Sequence, residues 1–156
     1  MALSPHQELA DELVALIDAW GSKPADVTVE RAYSVEQFVG GWADDAPARI
    51  VCLVSSIDGL RIGRNQDQDD VIVSVVYLRK LADMELATND AADIEADALR
   101  TFLRSAAVER ITLPTINRAA SRVNTGLPTP YAADLIRNNE IFCSVIAATY
   151  RILRDQ

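Results

Sequence analysis

Two stretches constrain the fold of this chain more than any other: Asp70–Leu81 (DVIVSVVYLRKL) and Glu140–Leu153 (EIFCSVIAATYRIL). Both are rich in β-branched and aromatic residues and contain neither Gly nor Pro, the composition of a strand inside a sheet. In the first, Val71, Val73, Val75 and Tyr77 share one face, while Ile72, Val76 and Leu78 share the other. The second is also apolar on both faces. Such strands need cover on both sides, from helices, a second sheet or neighbouring copies of the chain. The remaining segments are therefore expected to supply that cover.

The first covering element is a helix over residues 4–20. Ser4 suits the N-cap, Pro5 the first helical position and Gln7 the third position of a capping box. Leu9, Leu13, Leu16, Ile17 and Trp20 form its apolar stripe. Gly21 suits the C-terminal cap, and Glu8, Asp11, Glu12 and Asp18 are expected in water. A short strand, Asp26–Tyr33, and one helical turn, Ser34–Phe38, follow. Ala48–Ile57 is a strong strand. Asp58–Asp69 (DGLRIGRNQDQD) then reads as a polar excursion with a turn signal at Asp58-Gly59, in which Leu60 and Ile62 can continue a strand, and with an exposed tip at Asn65–Asp69. Ala82–Thr88 reads as a linker. Asn89–Ala107 reads as a second amphipathic helix, capped by Asn89 or Asp90, with Ile94, Ala98, Leu99, Phe102, Leu103 and Ala106 facing inward. Between 109 and 139 the pattern breaks up. Ile111 and Leu113 suggest a short strand ended by Pro114, Arg118–Arg122 reads as extended, Asn124-Thr125-Gly126 as a turn, and Thr129–Ile136 as a short helix start. The predicted fold is one α+β domain over residues 1–156. It has a mostly antiparallel sheet of Asp26–Tyr33, Ala48–Ile57, Asp70–Leu81 and Glu140–Leu153, and two main amphipathic helices packed against it. Val75, Ile146, Leu13 and Leu99 are expected in the core.

Composition narrows the function classes. At 156 residues, 49% hydrophobic and 24% charged, the chain has the make-up of a globular domain. Its apolar runs are strand-sized, short of the roughly 20 residues a membrane helix needs, and the acidic N-terminus lacks the pattern of a signal peptide. The net charge of −8 is uneven. Residues 1–48 hold nine acids against Lys23 and Arg31, whereas residues 109–156 hold six arginines against four acids. Sequence-specific nucleic-acid binding is not expected of such a chain. Cys52 and Cys143 lie in apolar runs and read as buried free thiols.

No constellation of side chains announces catalysis. His6, the single histidine, lies at a polar helix start and reads as solvated. Asp67, Asp69 and Asp70 lack the glycine and distal glutamate of a calcium loop. The chain has neither GxGxxG nor GxxxxGK[ST]. Tyr33, Tyr77, Tyr131 and Tyr150 read as core or interface anchors. The expectation is a protein with no enzymatic activity, no cofactor and no metal.

The order of segments says more. An amphipathic first helix leads into Val29-Glu30-Arg31-Ala32-Tyr33-Ser34. A strong strand, Ile50–Val54, and a polar loop follow, then a strand ending Val75-Val76-Tyr77-Leu78-Arg79-Lys80 and a helix. Tyr131 precedes Leu135, and the pattern closes with Ile141–Ile146 and Thr149-Tyr150-Arg151. This order resembles the small tail terminator and head–tail joining proteins of long-tailed bacteriophages and prophages. The resemblance implies a structural virion protein, assembled in the host cytoplasm and located at the tail–head junction. Its partners would be further copies of itself in a hexameric ring, the tail tube protein and the head connector or neck protein, with DNA passing through the lumen and no membrane contact. Arg61, Arg64, Asn65, Gln66, Asp67, Arg118, Arg122 and Arg137 are the expected assembly-interface residues. Shortening Asn65–Asp69 is expected to leave the monomer folded. The competing classes are another connector or neck adaptor ring, and a small α/β ligand-binding protein or enzyme.

Overall fold

The computed structural model describes residues 3–34, 47–63, 66–83, 85–129, 131 and 141–155. In chain order the elements are α1 (Pro5–Asp18), β1 (Val27–Arg31), β2 (Ala48–Gly63), β3 (Gln66–Lys80), α2 (Leu86–Leu103), a 3-10 turn (Ala106–Val108), β4 (Arg110–Leu113), β5 (Arg118–Thr129) and β6 (Ile141–Asp155). The strands form one six-stranded sheet in the order β1-β2-β3-β6-β5-β4. Every pairing is antiparallel except β1 with β2, which is parallel. The expected α+β class, with a mostly antiparallel sheet and two amphipathic helices, is what the chain adopts.

The two organising stretches are β3 and β6, paired antiparallel from Gln66↔Asp155 to Lys80↔Ile141. Their alternation divides the sheet into two faces. On the first, Val71, Val73, Val75 and Tyr77 pack with Ile50 and Cys52 of β2 and with Ile146, Ala148, Tyr150 and Ile152 of β6. Leu9, Leu13 and Ile17 of α1 and Ala92, Ala96, Leu99 and Leu103 of α2 complete the same cluster. Val75, Ile146, Leu13 and Leu99 are all fully buried, as expected. α1 touches β1 and β2 at one edge of the sheet and β4 at the other. The sheet therefore curls around α1. On the second face Val51, Val76, Leu78, Ile141, Cys143 and Ala32 form a smaller buried cluster. Toward the β2–β3 tip that face turns polar, with the Ser74 hydroxyl donating to Ser55 Oγ at 2.9 Å.

Several expectations are corrected. Asp58-Gly59 is not a turn: β2 runs on through Leu60 and Ile62, the strand continuation the pattern allows, to Gly63, and β3 begins at Gln66. Asp69 is buried, not part of an exposed tip. Ladder bonds to β2 and β6 on either side hold these polar residues extended, which local propensity does not register. Asn124-Thr125-Gly126 is not a turn; it lies within β5, between register shifts at Arg122/Asn124 and Gly126/Thr129. These residues bulge the strand where a local reading finds a turn.

α1 ends at Asp18, with Ala19 rather than Gly21 at its cap, while Ser4 accepts from the Gln7 amide as expected. α2 starts at Leu86 with Glu85 at the cap, and the Asn89 side chain donates to the Glu85 carbonyl instead of capping. Its inward stripe is Ala92, Ala96, Leu99, Arg100 and Leu103, whereas Ile94, Ala98 and Ala106 are exposed. The helical turn expected at Ser34–Phe38 and the helix start expected at Thr129–Ile136 lie almost wholly outside the described residues.

Polar side chains tie the layers together. Glu8, expected in water, is buried; its carboxylate accepts from the Thr115 amide at 3.0 Å and from the Thr115 hydroxyl. His6 is not solvated: its Nε2 lies 3.0 Å from Asp69 Oδ2, with both side chains largely covered. A four-residue clamp joins α2, β3 and the turn before β1. Tyr77 donates to Glu95, Arg79 Nε donates to Tyr77 Oη at 2.8 Å, and Arg79 Nη1 and Nη2 donate to Asp26 at 2.9 and 3.0 Å. Cys52 and Cys143 are buried free thiols, as expected. They lie on opposite faces of the sheet with β3 between their strands, so they cannot form a disulfide with each other.

Candidate assembly surface

The most distinctive surface feature lies on the second sheet face, where β4, β5 and β6 meet. In Arg110-Ile111-Thr112-Leu113 the apolar residues point toward α1, which leaves Arg110 on the far side. A four-residue turn, Pro114–Asn117, reverses the chain. Asn117 takes the left-handed conformation (φ 51°), which Asn tolerates better than most residues, and its amide donates to the Pro114 carbonyl at 3.2 Å. The register then aligns Arg110 with Ser121, Ser121 with Arg151, Arg151 with Asp70 and Asp70 with Asp58. One row across five strands thus runs from positive at β4 to negative at β2.

Around the positive end lies a groove of about 220 Å³ lined by Arg110, Arg118, Ala119, Ser121, Arg151 and Leu153. Arg151 Nε and Nη2 donate to the Asp70 carboxylate at 2.9 and 3.3 Å, and this contact raises the Arg151 pKa. The Asp70 carboxylate offsets the Arg151 charge, and Arg110 stands exposed beside that pair. An exposed guanidinium such as that of Arg110 can bind a carboxylate or a phosphate through paired hydrogen bonds.

The expected interface residues disperse. Arg118 joins the groove. Arg122, four residues on, faces the helices and donates to the carbonyls of Leu103 and Ser105 at 2.7 and 2.8 Å. It thereby satisfies backbone acceptors at the end of α2 that the helix leaves open. Arg61 and Gln66 lie in the paired backbone of the β2–β3 hairpin, opposite Asp67 and Gly63. Asp67 is half-buried on β3. Arg64, Asn65 and Arg137 lie outside the described residues. The sequence reading missed Arg110 and Arg151. The signal was present in the alternation Arg110-Ile111-Thr112-Leu113 and Tyr150-Arg151-Ile152, where the apolar neighbours are buried and the arginines are not.

Other polar groups serve the fold. Burial, then the Glu95 hydrogen bond, pushes the Tyr77 hydroxyl pKa up. Tyr150 is pushed up to about 12 by burial and donates to the Val108 carbonyl at 2.6 Å. Both phenols therefore stay protonated near neutral pH. Tyr33 and Tyr131 are exposed; Tyr131 sets its edge against Phe142 and donates to Asp93 at 3.2 Å. Asp69 and Asp70 point to opposite faces, toward His6 and Arg151, so the acidic run is divided between two partners. Among the described residues no cluster of three or more His, Cys, Asp or Glu side chains is placed to hold a metal ion. No described helix is long and apolar enough to cross a membrane. The chain matches no protein-family model and no curated protein sequence.

Proposed function

We propose that this protein is a tail terminator: a virion subunit that assembles as a hexameric ring on a phage tail tube, ends the tube's growth and presents a docking surface to the head. The observation that carries the reading is the order of segments. The stretches behind the resemblance fall on α1, β1, β2, the end of β3, α2 and β6, and these build one continuous sheet with its helices on one face. The β2–β3 hairpin agrees with it, since a long ribbon gives a small subunit reach toward a tube or a connector.

A protein that ends a tube must match its symmetry on one side and refuse another layer on the other. Head-to-tail contacts between identical subunits close into a ring when the rotation between them divides the circle. A net acidic subunit suits a lumen through which DNA passes, because a basic wall would hold the phosphates.

The test is reconstitution. Tails assembled without this protein are expected to be overlong and unable to join heads. Tails of normal length that fail to join heads would assign it to a neck adaptor ring instead. Normal tails that join heads in its absence would overturn both readings.

A further inference from the structure

The outward side of α2 is apolar and exposed. Ala87, Ala91, Ile94 and Ala98 recur at spacings of three and four residues and share one side of the helix. That side lies opposite the Ala92–Ala96–Leu99–Leu103 stripe packed on the sheet. All four are exposed, Ile94 at 70%, and Leu86 beside them is 77% exposed. A helix with an apolar stripe on both sides has a second surface to bury. Asp90 and Arg104 lie about four turns apart, along one flank of the outer stripe. Both are exposed, and neither side chain has a hydrogen-bond or ion-pair partner among the described residues.

We propose that the outer stripe of α2 packs antiparallel against the same stripe of a second copy, in a twofold dimer. The stripe is complementary to itself. About a twofold axis between Ile94 and Glu95, Ile94 meets Ile94 of the other copy. Ala91 then lies opposite Ala98, because the two stand equally far on either side of that axis. Small side chains at these positions let the helices approach closely around the central pair of isoleucines. The twofold keeps the charged flank of both helices on the same side of the pair. There the Arg104 side chain leans back over its preceding turn, as helical side chains do, and reaches the level of Asp90 in the other copy. The contact therefore joins the two flanking charges that lack a partner within the chain, once at each end. Asp97, on the same flank nearer the axis, is already offset by Arg100 at 3.2 Å. Antiparallel alignment also sets each positive helix N-terminus beside a negative C-terminus. A contact between identical surfaces closes at two copies. It is thus distinct from the head-to-tail contact of a ring, and it holds whether or not the protein caps a tail.

The test is sedimentation of the full chain across a concentration series, with thiol crosslinking to fix the register. Wild type is expected to pass from monomer to dimer. Ile94→Glu, at an exposed position, is expected to weaken dimerisation at least tenfold with unchanged thermal melting. Arg104→Glu and Asp90→Arg are each expected to weaken it severalfold, and the double variant, with the charges exchanged, to recover most of the loss. Cys52 and Cys143 are buried, so an introduced surface thiol reacts alone. A mixture of Ala91→Cys and Ala98→Cys chains is expected to crosslink on mild oxidation faster than either variant by itself. Wild type that stays monomeric at every concentration would overturn the dimer, as would Ile94→Glu that associates like wild type. Weakened single charge variants with no recovery in the double would show that Asp90 and Arg104 do not meet. Faster crosslinking of Ala91→Cys alone than of the mixture would overturn the antiparallel register. If monomeric wild type binds phosphatidylcholine vesicles and Ile94→Glu does not, the stripe belongs to a lipid surface and the proposal falls.

Discussion

Glu8 shows how a single residue escapes a reading by pattern. Its position on α1 and its charge both point to water, yet its carboxylate is buried against Thr115, 107 residues later. Nothing local to either residue marks the other as its partner. Glu8→Ala would take the charged acceptor from the Thr115 amide and hydroxyl at a partly covered site, at a cost of about 1–3 kcal/mol in unfolding free energy. Denaturant melts of the variant measure that cost; a change near zero would mean that water replaces the carboxylate freely. His6 escaped in the same way, through Asp69. The cysteines were legible, because an apolar neighbourhood is a local property. Burial pushes Cys52 up to about 12 and Cys143 up to about 11, so neither thiol ionises near neutral pH. A thiol reagent at mildly alkaline pH is expected to leave the native protein unmodified and to titrate two thiols after denaturation. Rapid reaction of either one in the native state would show that its strand opens locally.

At the scale of elements, the strands rich in Val, Ile and Tyr were legible because their apolar alternation is strong. Val71 to Tyr77 face the helices as the alternation requires. The extent of the strands was not legible, since polar residues such as Asp67 and Gln68 stay extended because β2 and β6 pair on either side of them. The rotation of α2 was also hidden. Ala92 and Ala96 let the helix approach the sheet closely, so small residues take the inner face and Ile94 is turned outward. Of the candidate surface, only Arg118 was anticipated, because the groove depends on strand register and not on composition. The clamp between elements makes a pH prediction. The Arg79 guanidinium hydrogen-bonded to Asp26 holds its carboxyl below the usual 3.8. A carboxylate with a depressed folded-state pKa contributes stability above its unfolded value and loses it as the pH falls through the folded one. Asp26→Asn is therefore expected to be less stable than wild type at neutral pH, with the difference closing below about pH 4, near that usual value. A gap that stays constant through the acid range would mean that the pair contributes by shape and not by charge.

For the whole molecule, the hairpin is part of the architecture and not an appendage. Removing Asn65–Asp69 would strip His6 of its partner and take away Asp69, the β3 residue paired with the buried Ile152. The expected loss is about 2 kcal/mol or more from uncovering Ile152 alone, so the shortened chain should unfold at lower denaturant. Unchanged stability would show that the tip is dispensable after all. The interior placement of β6 has a consequence for how the protein comes into being. Its residues, 141–155, lie between β3 and β5 in the sheet, so the strand that joins the two halves is synthesised after both. Until it leaves the ribosome, β3 and β5 each expose an open edge of the kind that pairs with other chains. Closing the sheet then requires contacts between residues roughly 60 to 90 positions apart, a slow event for a chain of this size. Nascent copies crowded on one message are thus open to pairing with one another's edges before the native arrangement is within reach.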